Sequence, residues 1–220
     1  MNFFTQVTSL LCLPVLLSAK PTLEVVLDST RTINPFGVAF GEKGNVYVAE
    51  YQGQRILLLG PTGKISTFSG NGEEGFAGDG LKSEEAIYNG IHNLARTTNG
   101  DIYVSDTRNN LIRMIEGKTR LTHTIAGMPG QKGFSGDGGL ASRAKLADPI
   151  SISLSPDEKT LLIADIQNKR IRAIDLTTGL IRTVAGNGRK GIPEDGENTL
   201  EQPLFDPRAA IMDEVGNIYV

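Results

Sequence analysis

The chain has very few of the residues on which many familiar sites depend. Among its 220 residues there is no Trp, one Cys and two His, and aromatic residues make up 6%. One cysteine cannot form a disulfide within the chain, and it lies at Cys12 in an apolar N-terminal segment. Two histidines leave little material for a multi-ligand metal site or for a nucleophile activated by histidine.

Runs of basic residues are absent as well. The 22 Lys and Arg residues are outnumbered by 25 Asp and Glu, which gives a net charge of -3 and a pI near 5.5. Binding to a nucleic-acid backbone requires clustered positive charge. We therefore expect no nucleic-acid partner.

The first 19 residues are uncharged and mostly apolar, and they end in Ser18-Ala19 before Lys20. This pattern is typical of a secretory signal peptide. It predicts a signal segment at 1–19, a mature chain from residue 20, and export to the periplasm, the cell surface or the medium. An uncleaved membrane anchor and a buried strand are the alternatives for this segment. No membrane span is predicted after it.

What the chain has is a repeat. The line Gly44-Asn-Val-Tyr-Val-Ala-Glu50 returns as Gly100-Asp-Ile-Tyr-Val-Ser-Asp106, as Thr160-Leu-Leu-Ile-Ala-Asp165 and as Gly216-Asn-Ile-Tyr-Val220. The repeat length is about 57 residues. One structural unit is therefore present three times and begun a fourth time.

Each unit contains four short strand candidates, with connections too short for parallel crossovers, so we expect an antiparallel meander. The second strand is apolar at consecutive positions, as in Ile102-Tyr103-Val104, which indicates burial on both faces. Four-stranded sheets stacked face to face around an axis bury both faces of this strand. The sequence therefore predicts an all-β protein, a β-propeller. A β-solenoid is the rival. The predicted strands are 36–40, 45–50, 54–59, 64–69, 91–96, 101–106, 111–116, 121–126, 150–154, 161–165, 170–175 and 180–185.

An acid ends each second strand: Glu50, Asp106 or Asp165. We expect it to cap the following turn and pair with a nearby Arg. The stretch Asp165-Ile-Gln-Asn-Lys-Arg-Ile-Arg172 resembles the signature of the NHL-repeat family of β-propellers, and Asp106 to Arg113 matches except at Leu111. The resemblance covers residues 35–220.

Between blades lie linkers that are longer than a blade requires. They contain Gly75-Phe-Ala-Gly-Asp-Gly80, Gly133-Phe-Ser-Gly-Asp-Gly138 and Gly191-Ile-Pro-Glu-Asp-Gly196. This version is similar to the NHL propellers of bacterial surface proteins and of the teneurin adhesion receptors.

The units divide the mature chain, 20–220, into blades of about 35–90, 91–148 and 149–206, with a truncated fourth at 207–220. Six blades would need roughly 340 residues at this repeat length, so the sequence predicts a fragment, an open arc of a six-bladed propeller. Residues 23–28 resemble a fourth strand and are predicted to close the ring.

The first strands of a propeller line its central channel, and loops on a rigid scaffold carry binding residues. Asp79 and Asp137 are predicted to cap their turns. Calcium is the alternative there, although one acid supplies too few oxygens, and no cofactor is predicted. The candidate binding residues at the channel mouth and in the linkers are Asn34, His92, Asp148, Arg208, Asp79 and Asp137.

These observations favour an exported binding or scaffold module for a protein or another ligand, and not an enzyme. The resemblance leaves a metal-dependent propeller enzyme, lactonase-like or similar to the amidating lyases, as the alternative. An RNA-binding NHL domain is a third hypothesis, and the acidic composition argues against it. The sequence does not identify the partner.

Overall fold

Three four-stranded antiparallel sheets dominate the computed structural model, which describes residues 26–28 and 30–220. Strand order within each sheet follows the sequence, so each sheet is a meander. The strands of blade 1 are β1 (Pro35–Phe40), β2 (Val46–Glu50), β3 (Arg55–Leu59) and β4 (Ile65–Ser69); of blade 2, β5 (Ile91–Arg96), β6 (Ile102–Asp106), β7 (Leu111–Ile115) and β8 (Thr122–Ala126); and of blade 3, β9 (Pro149–Leu154), β10 (Thr160–Asp165), β11 (Arg170–Asp175) and β12 (Ile181–Ala185).

A two-stranded sheet, β13 (Ile211–Met212) and β14 (Ile218–Tyr219), begins a fourth blade. The strand predictions for the three full blades are confirmed to within one residue at each end. Single-turn 3-10 helices complete the regular structure of the described part of the chain, at Glu42–Gly44, Ser83–Glu85, Thr107–Asn109, Ala141–Arg143 and Ile166–Asn168.

The blades stack face to face, and alternate residues of one strand serve different cores. Leu161 and Ile163 pack toward blade 2, whereas Leu162 packs toward the fourth blade. The second strands are thus buried on both faces, as the sequence predicts. Neighbouring blades touch most closely through their first strands, while the fourth strands contact the linker helices. The blades therefore radiate from an axis lined by β1, β5 and β9, which is the β-propeller arrangement.

In the three full blades, the first strand starts with an irregular pairing to the second. The register shifts between Pro35 and Val38 in blade 1 and between Ile91 and Leu94 in blade 2, and blade 3 repeats the shift opposite Ala164 and Asp165. A bulge of this kind redirects side chains out of the regular pleat. It places Phe36, His92 and Ile150, each the second residue of its strand, at the mouth of the channel.

The linkers after blades 1 and 2 run along the outer edge of the following blade. Gly80 N donates to Thr122 O at 2.7 Å and Gly138 N donates to Ile181 O at 2.8 Å, so the outer strands β8 and β12 have partners on both sides. The same linkers contain the 3-10 turns Ser83–Glu85 and Ala141–Arg143.

The predicted ring-closing strand, 23–28, falls partly outside the described residues, as does the predicted signal segment 1–19. Residues 26–28 form no strand in the structure. The Asp28 carboxylate accepts from Thr30 N at 3.0 Å, which turns the chain, and Leu27 packs instead against Val48 and Leu57 of blade 1. Within the described residues, no helix has the length and apolar character needed to cross a membrane.

Candidate binding site at the channel mouth

The candidate residues fall in two places. Asp79 and Asp137 lie in the linkers. The other four lie near the starts of first strands: Asn34 and Asp148 directly precede β1 and β9, His92 is the second residue of β5, and Arg208 lies three residues before β13. The two groups make different kinds of contact.

The linker carboxylate Asp79 binds a buried arginine of the next blade. Its Oδ1 lies 2.7 Å from Arg113 Nη2, and the Arg113 side chain is 0% exposed. The same guanidinium donates to the carbonyl oxygens of Ala77 and Ile87 at 3.0 and 3.3 Å, and the Phe76 ring lies 5.0 Å from it. The Gly-Phe-x-Gly-Asp-Gly linker is thus folded onto blade 2.

Blade 3 repeats this arrangement with Asp137 and Arg172. Asp137 Oδ1 lies 2.7 Å from Arg172 Nη2, its Oδ2 accepts from Thr183 Oγ1 at 2.7 Å, and the Phe134 ring lies 4.9 Å from the guanidinium. Both linker carboxylates are therefore engaged by protein side chains.

The acids that end the second strands were predicted to pair with the arginine directly after the turn, and this holds for Glu50 but not for Asp165. Glu50 binds Arg55, with Oε2 to Nη2 at 2.8 Å. Asp165 instead lies 3.4 Å from Arg172 Nη1, because Arg170 stacks at 3.7 Å on the Phe134 ring and donates to Asn187 O.

Burial has the largest effect on the ionisation of Asp106 and Asp165. It raises the pKa of Asp106 and that of Asp165 to about 6, against the opposing effect of hydrogen bonds from Asn109 and Asn168. Each carboxylate also accepts a backbone N–H, from Asn89 or Ala147. Their acceptor atoms are used within the fold, so the perturbed pKa values describe structural groups.

The residues before β1 and β9 have a left-handed backbone, and so does Asp206, five residues before β13. Asn34, Asp148 and Asp206 have φ of 48°, 51° and 50°, which Asn and Asp tolerate better than most residues. The Asp148 carboxylate binds Lys132 Nζ at 3.0 Å, and Asp206 binds Lys190 and Lys169 at 2.7 and 2.9 Å. Hydrogen bonds from Lys190 and Lys169 lower the pKa of Asp206 to about 2. Asn34 is exposed, and its carbonyl oxygen accepts from Tyr51 N at 2.9 Å.

Three rings meet beside these residues. The Phe36 ring lies 4.9 Å from His92 in an edge arrangement and 5.2 Å from Tyr51, and the centroids of Tyr51 and His92 are 4.4 Å apart. The Arg108 guanidinium lies 4.9 Å from the Tyr51 centroid. We call this group, with the two charged residues that act on His92, the mouth cluster: Phe36, Tyr51, His92, Arg108, Asp148 and Arg208.

His92 is the half-buried centre of the mouth cluster. Burial lowers its pKa, the charges of Arg108 and Arg208 lower it further, and Asp148 opposes them. The imidazole is therefore neutral at physiological pH. Its Nδ1 is buried and has no hydrogen-bond partner among the described residues. The surrounding protein atoms close this nitrogen to a ligand.

The structure brings His92, Asp148 and Arg208 together and keeps Asp79 and Asp137 apart from them, on the linkers. Sequence reasoning missed Tyr51 and Arg108. Both follow the acid of a second strand by one or two residues, and in an antiparallel pair that turn lies at the same end of the sheet as the start of the first strand. In the part of the chain that is described, no three His, Cys, Asp or Glu side chains are grouped to hold a metal ion.

No model of a known protein family matches the chain. It is 28% identical over 169 residues to protein SUPPRESSOR OF QUENCHING 1, chloroplastic, of Arabidopsis thaliana, covering 74% of the chain and 15% of that protein. It is 31% identical over 108 residues to NHL repeat-containing protein 2 of Gallus gallus, covering 48% of the chain and 14% of that protein. It is also 58% identical over 41 residues to Gallus gallus teneurin-1, covering 19% of the chain and 2% of that protein. The chain thus spans a small part of the curated relatives it matches.

Among solved structures, the chain is similar to a Bacteroides thetaiotaomicron protein of unknown function and to an auxiliary nutrient binding protein from Bacteroides ovatus. The first has a TM-score of 0.65 and 18% identity, and the match covers 84% of this chain and 43% of the other. The second has a TM-score of 0.65 and 16% identity, and the match covers 86% of this chain and 46% of the other. At such low identity the likeness concerns the fold. Fold and repeats together define a β-propeller built from long repeats. Its repeats are similar to those of NHL repeat-containing protein 2 and of teneurin-1, in keeping with the resemblance seen in the sequence.

Proposed function

We propose that this chain is part of an exported binding module, without enzymatic activity, whose ligand is held by the mouth cluster. The observation that carries the proposal is the grouping of three rings with two arginines, Arg108 and Arg208, at the end of the channel. One of the similar propellers is described as an auxiliary nutrient binding protein, which supports a binding role in general.

The mouth is a better candidate than the linkers. Asp79 and Asp137 are already bound to the buried guanidinium groups of Arg113 and Arg172, so a ligand would have to compete with these ion pairs for the carboxylates. The Phe36 ring, in contrast, is 61% exposed, although it belongs to a strand on the channel side. An exposed ring beside a neutral imidazole offers a contact surface that no described residue covers.

Strand β1 itself supplies a matched control for testing this site. Phe36 and Phe40 stand at opposite ends of the strand and are 61% and 60% exposed. We expect Phe36→Ala to weaken binding and Phe40→Ala to leave it unchanged. The measurement is saturation-transfer NMR followed by calorimetric titration with benzoate, benzamide, glucuronate and glucose. If the two variants had equal effects, or if none of the four compounds bound, the mouth cluster would not be the binding site.

Export rests on residues 1–19 and needs a separate test. Mass spectrometry of the protein recovered from the source cells should find an N-terminus at Lys20 and material outside the cytoplasm. Full-length protein confined to the cytoplasm would contradict export while leaving the binding site untouched.

A further inference from the structure

We infer that the ligand of the mouth cluster is an acid carried on a ring, a deepening that rests on the proposed function. The ring would pack on Phe36 and Tyr51, and the acidic group would bind Arg108 and Arg208. Charge and ring geometry support the inference separately.

The charge around the mouth is positive although the chain as a whole is negative. The two carboxylates there, Asp148 and Asp206, are bound by lysines: Lys132 on Asp148, and Lys169 and Lys190 on Asp206. Arg108 and Arg208 have no acid within ion-pair distance among the described residues, and both are exposed. An anion is the ligand group that two such guanidinium groups select.

The rings hold Arg108 in place for this task. Its guanidinium stacks against Tyr51, and its backbone N donates to Asn89 O at 3.0 Å, so the side chain starts from a fixed turn. Arg108 therefore loses less conformational freedom on binding than a free surface arginine would. An acid bound to this guanidinium would lie next to the aromatic surface. This position favours a ligand that has both an acidic group and a ring.

Two kinds of molecule share this chemistry: aromatic carboxylic acids, and sugar acids whose apolar ring face packs on aromatic side chains. Each has a neutral partner of nearly the same shape. Titrating the chain with benzoate against benzamide, and with glucuronate against glucose, separates the acid requirement from the type of ring.

We expect one acid of the two to bind at least about tenfold more tightly than its neutral partner in low salt, since a hydrogen bond to a charged group contributes that much. Arg108→Gln or Arg208→Gln should remove this preference. Arg182→Gln, on the exposed face of β12, is the matched control and should keep it. Added salt should weaken binding of the acid and not of the neutral compound.

The outcomes separate the two proposals. If benzoate and benzamide bind equally, glucuronate and glucose bind equally, and Phe36→Ala still weakens binding, the acid inference is overturned and the binding site stands. If Phe36→Ala changes the binding of neither the acids nor the neutral compounds, both proposals are overturned. Benzoate binding alone identifies an aromatic acid, and glucuronate binding alone a sugar acid.

Discussion

Arg113 and Arg172 each bind the preceding linker to the blade that follows it. Each side chain is completely buried, and each reaches a carboxylate of its own second strand and one of the preceding linker. Removing a charged pair from water is costly, so such a pair is retained only when several acceptors surround it. Here the carbonyl oxygens of the linker supply the additional acceptors.

Replacing Arg172 with Met should test this contribution. The substitution keeps much of the apolar volume but leaves the buried Asp165 carboxylate without its cation. We expect a loss of about 3 kcal/mol or more in the free energy of unfolding, as for other broken buried pairs. Denaturant unfolding of the chain followed by circular dichroism measures it.

Arg182→Met is the control because Arg182 is exposed on β12, and its effect should stay within about 0.5 kcal/mol. If the two variants unfold at the same denaturant concentration, Arg172 has no stabilising role.

The pairing of Arg172 with Asp137 could not be predicted from the local pattern, because the two residues are 35 positions apart. The repeat does contain a signal. Arg113 and Arg172 each follow a Gly-Phe-x-Gly-Asp-Gly linker, whereas the same position of blade 1 is Leu57, with no such sequence before it. Leu57 packs against Leu27 instead. Comparing the repeats for residues that change together would have indicated the contact.

At the scale of elements, the ends of the strands decide how the blades are joined. A glycine follows each fourth strand at Gly70, Gly127 and Gly186, with φ of 86°, 88° and 92°. Its missing side chain lets the linker leave the sheet directly beside the residue that precedes the third strand. This close approach of two backbones starts the linker on its path to the next blade.

Substituting Gly127 with Ala should therefore cost more than backbone strain alone. A Cβ there would collide with the Asn110 carbonyl oxygen and lie 2.8 Å from Leu111 Cδ2. Gly130 is the matched control: its φ is 72°, and nothing lies within 4 Å of an added Cβ. We expect about 1 kcal/mol of destabilisation for Gly130→Ala and roughly 2 kcal/mol more for Gly127→Ala.

Thermal and denaturant unfolding of both variants gives the comparison. Equal losses would mean that only the left-handed conformation matters, and that the linker can shift to accommodate the methyl group.

The strands themselves were predictable because their residue pattern matches their burial. Consecutive apolar residues in β6 and β10 face two cores, and turn residues mark each end. Residues 26–28 share the apolar character of a strand but are not one, since Asp28 forms a turn with Thr30. The mouth cluster was only partly predictable, because Tyr51 and Arg108 belong to turns whose position depends on the whole sheet.

At the scale of the whole molecule, stability comes from the surfaces between blades. One core lies between blades 1 and 2, a second between blades 2 and 3, and a third between blade 3 and the partial fourth blade. Blade 2 thus has a complete neighbour on both faces. The fourth blade contributes two short strands whose residues are half-buried or exposed. In such a stack each unit is stabilised by its neighbours, so stability should be greatest in the middle.

Amide hydrogen exchange should show this gradient, with the slowest exchange in β6, slower than in β10, and the fastest in β13 and β14. Ile112→Ala opens a cavity in the core shared by blades 2 and 3, and it should accelerate exchange in β6 and β10 together. Val215→Ala, at a residue that is 83% exposed, should leave both unchanged. If Ile112→Ala affected β6 and β7 alone, blade 3 would be stable without blade 2. The blades would then be independent units. The buried arginines would in that case mainly hold the linkers in place and contribute less to the stability of the stack.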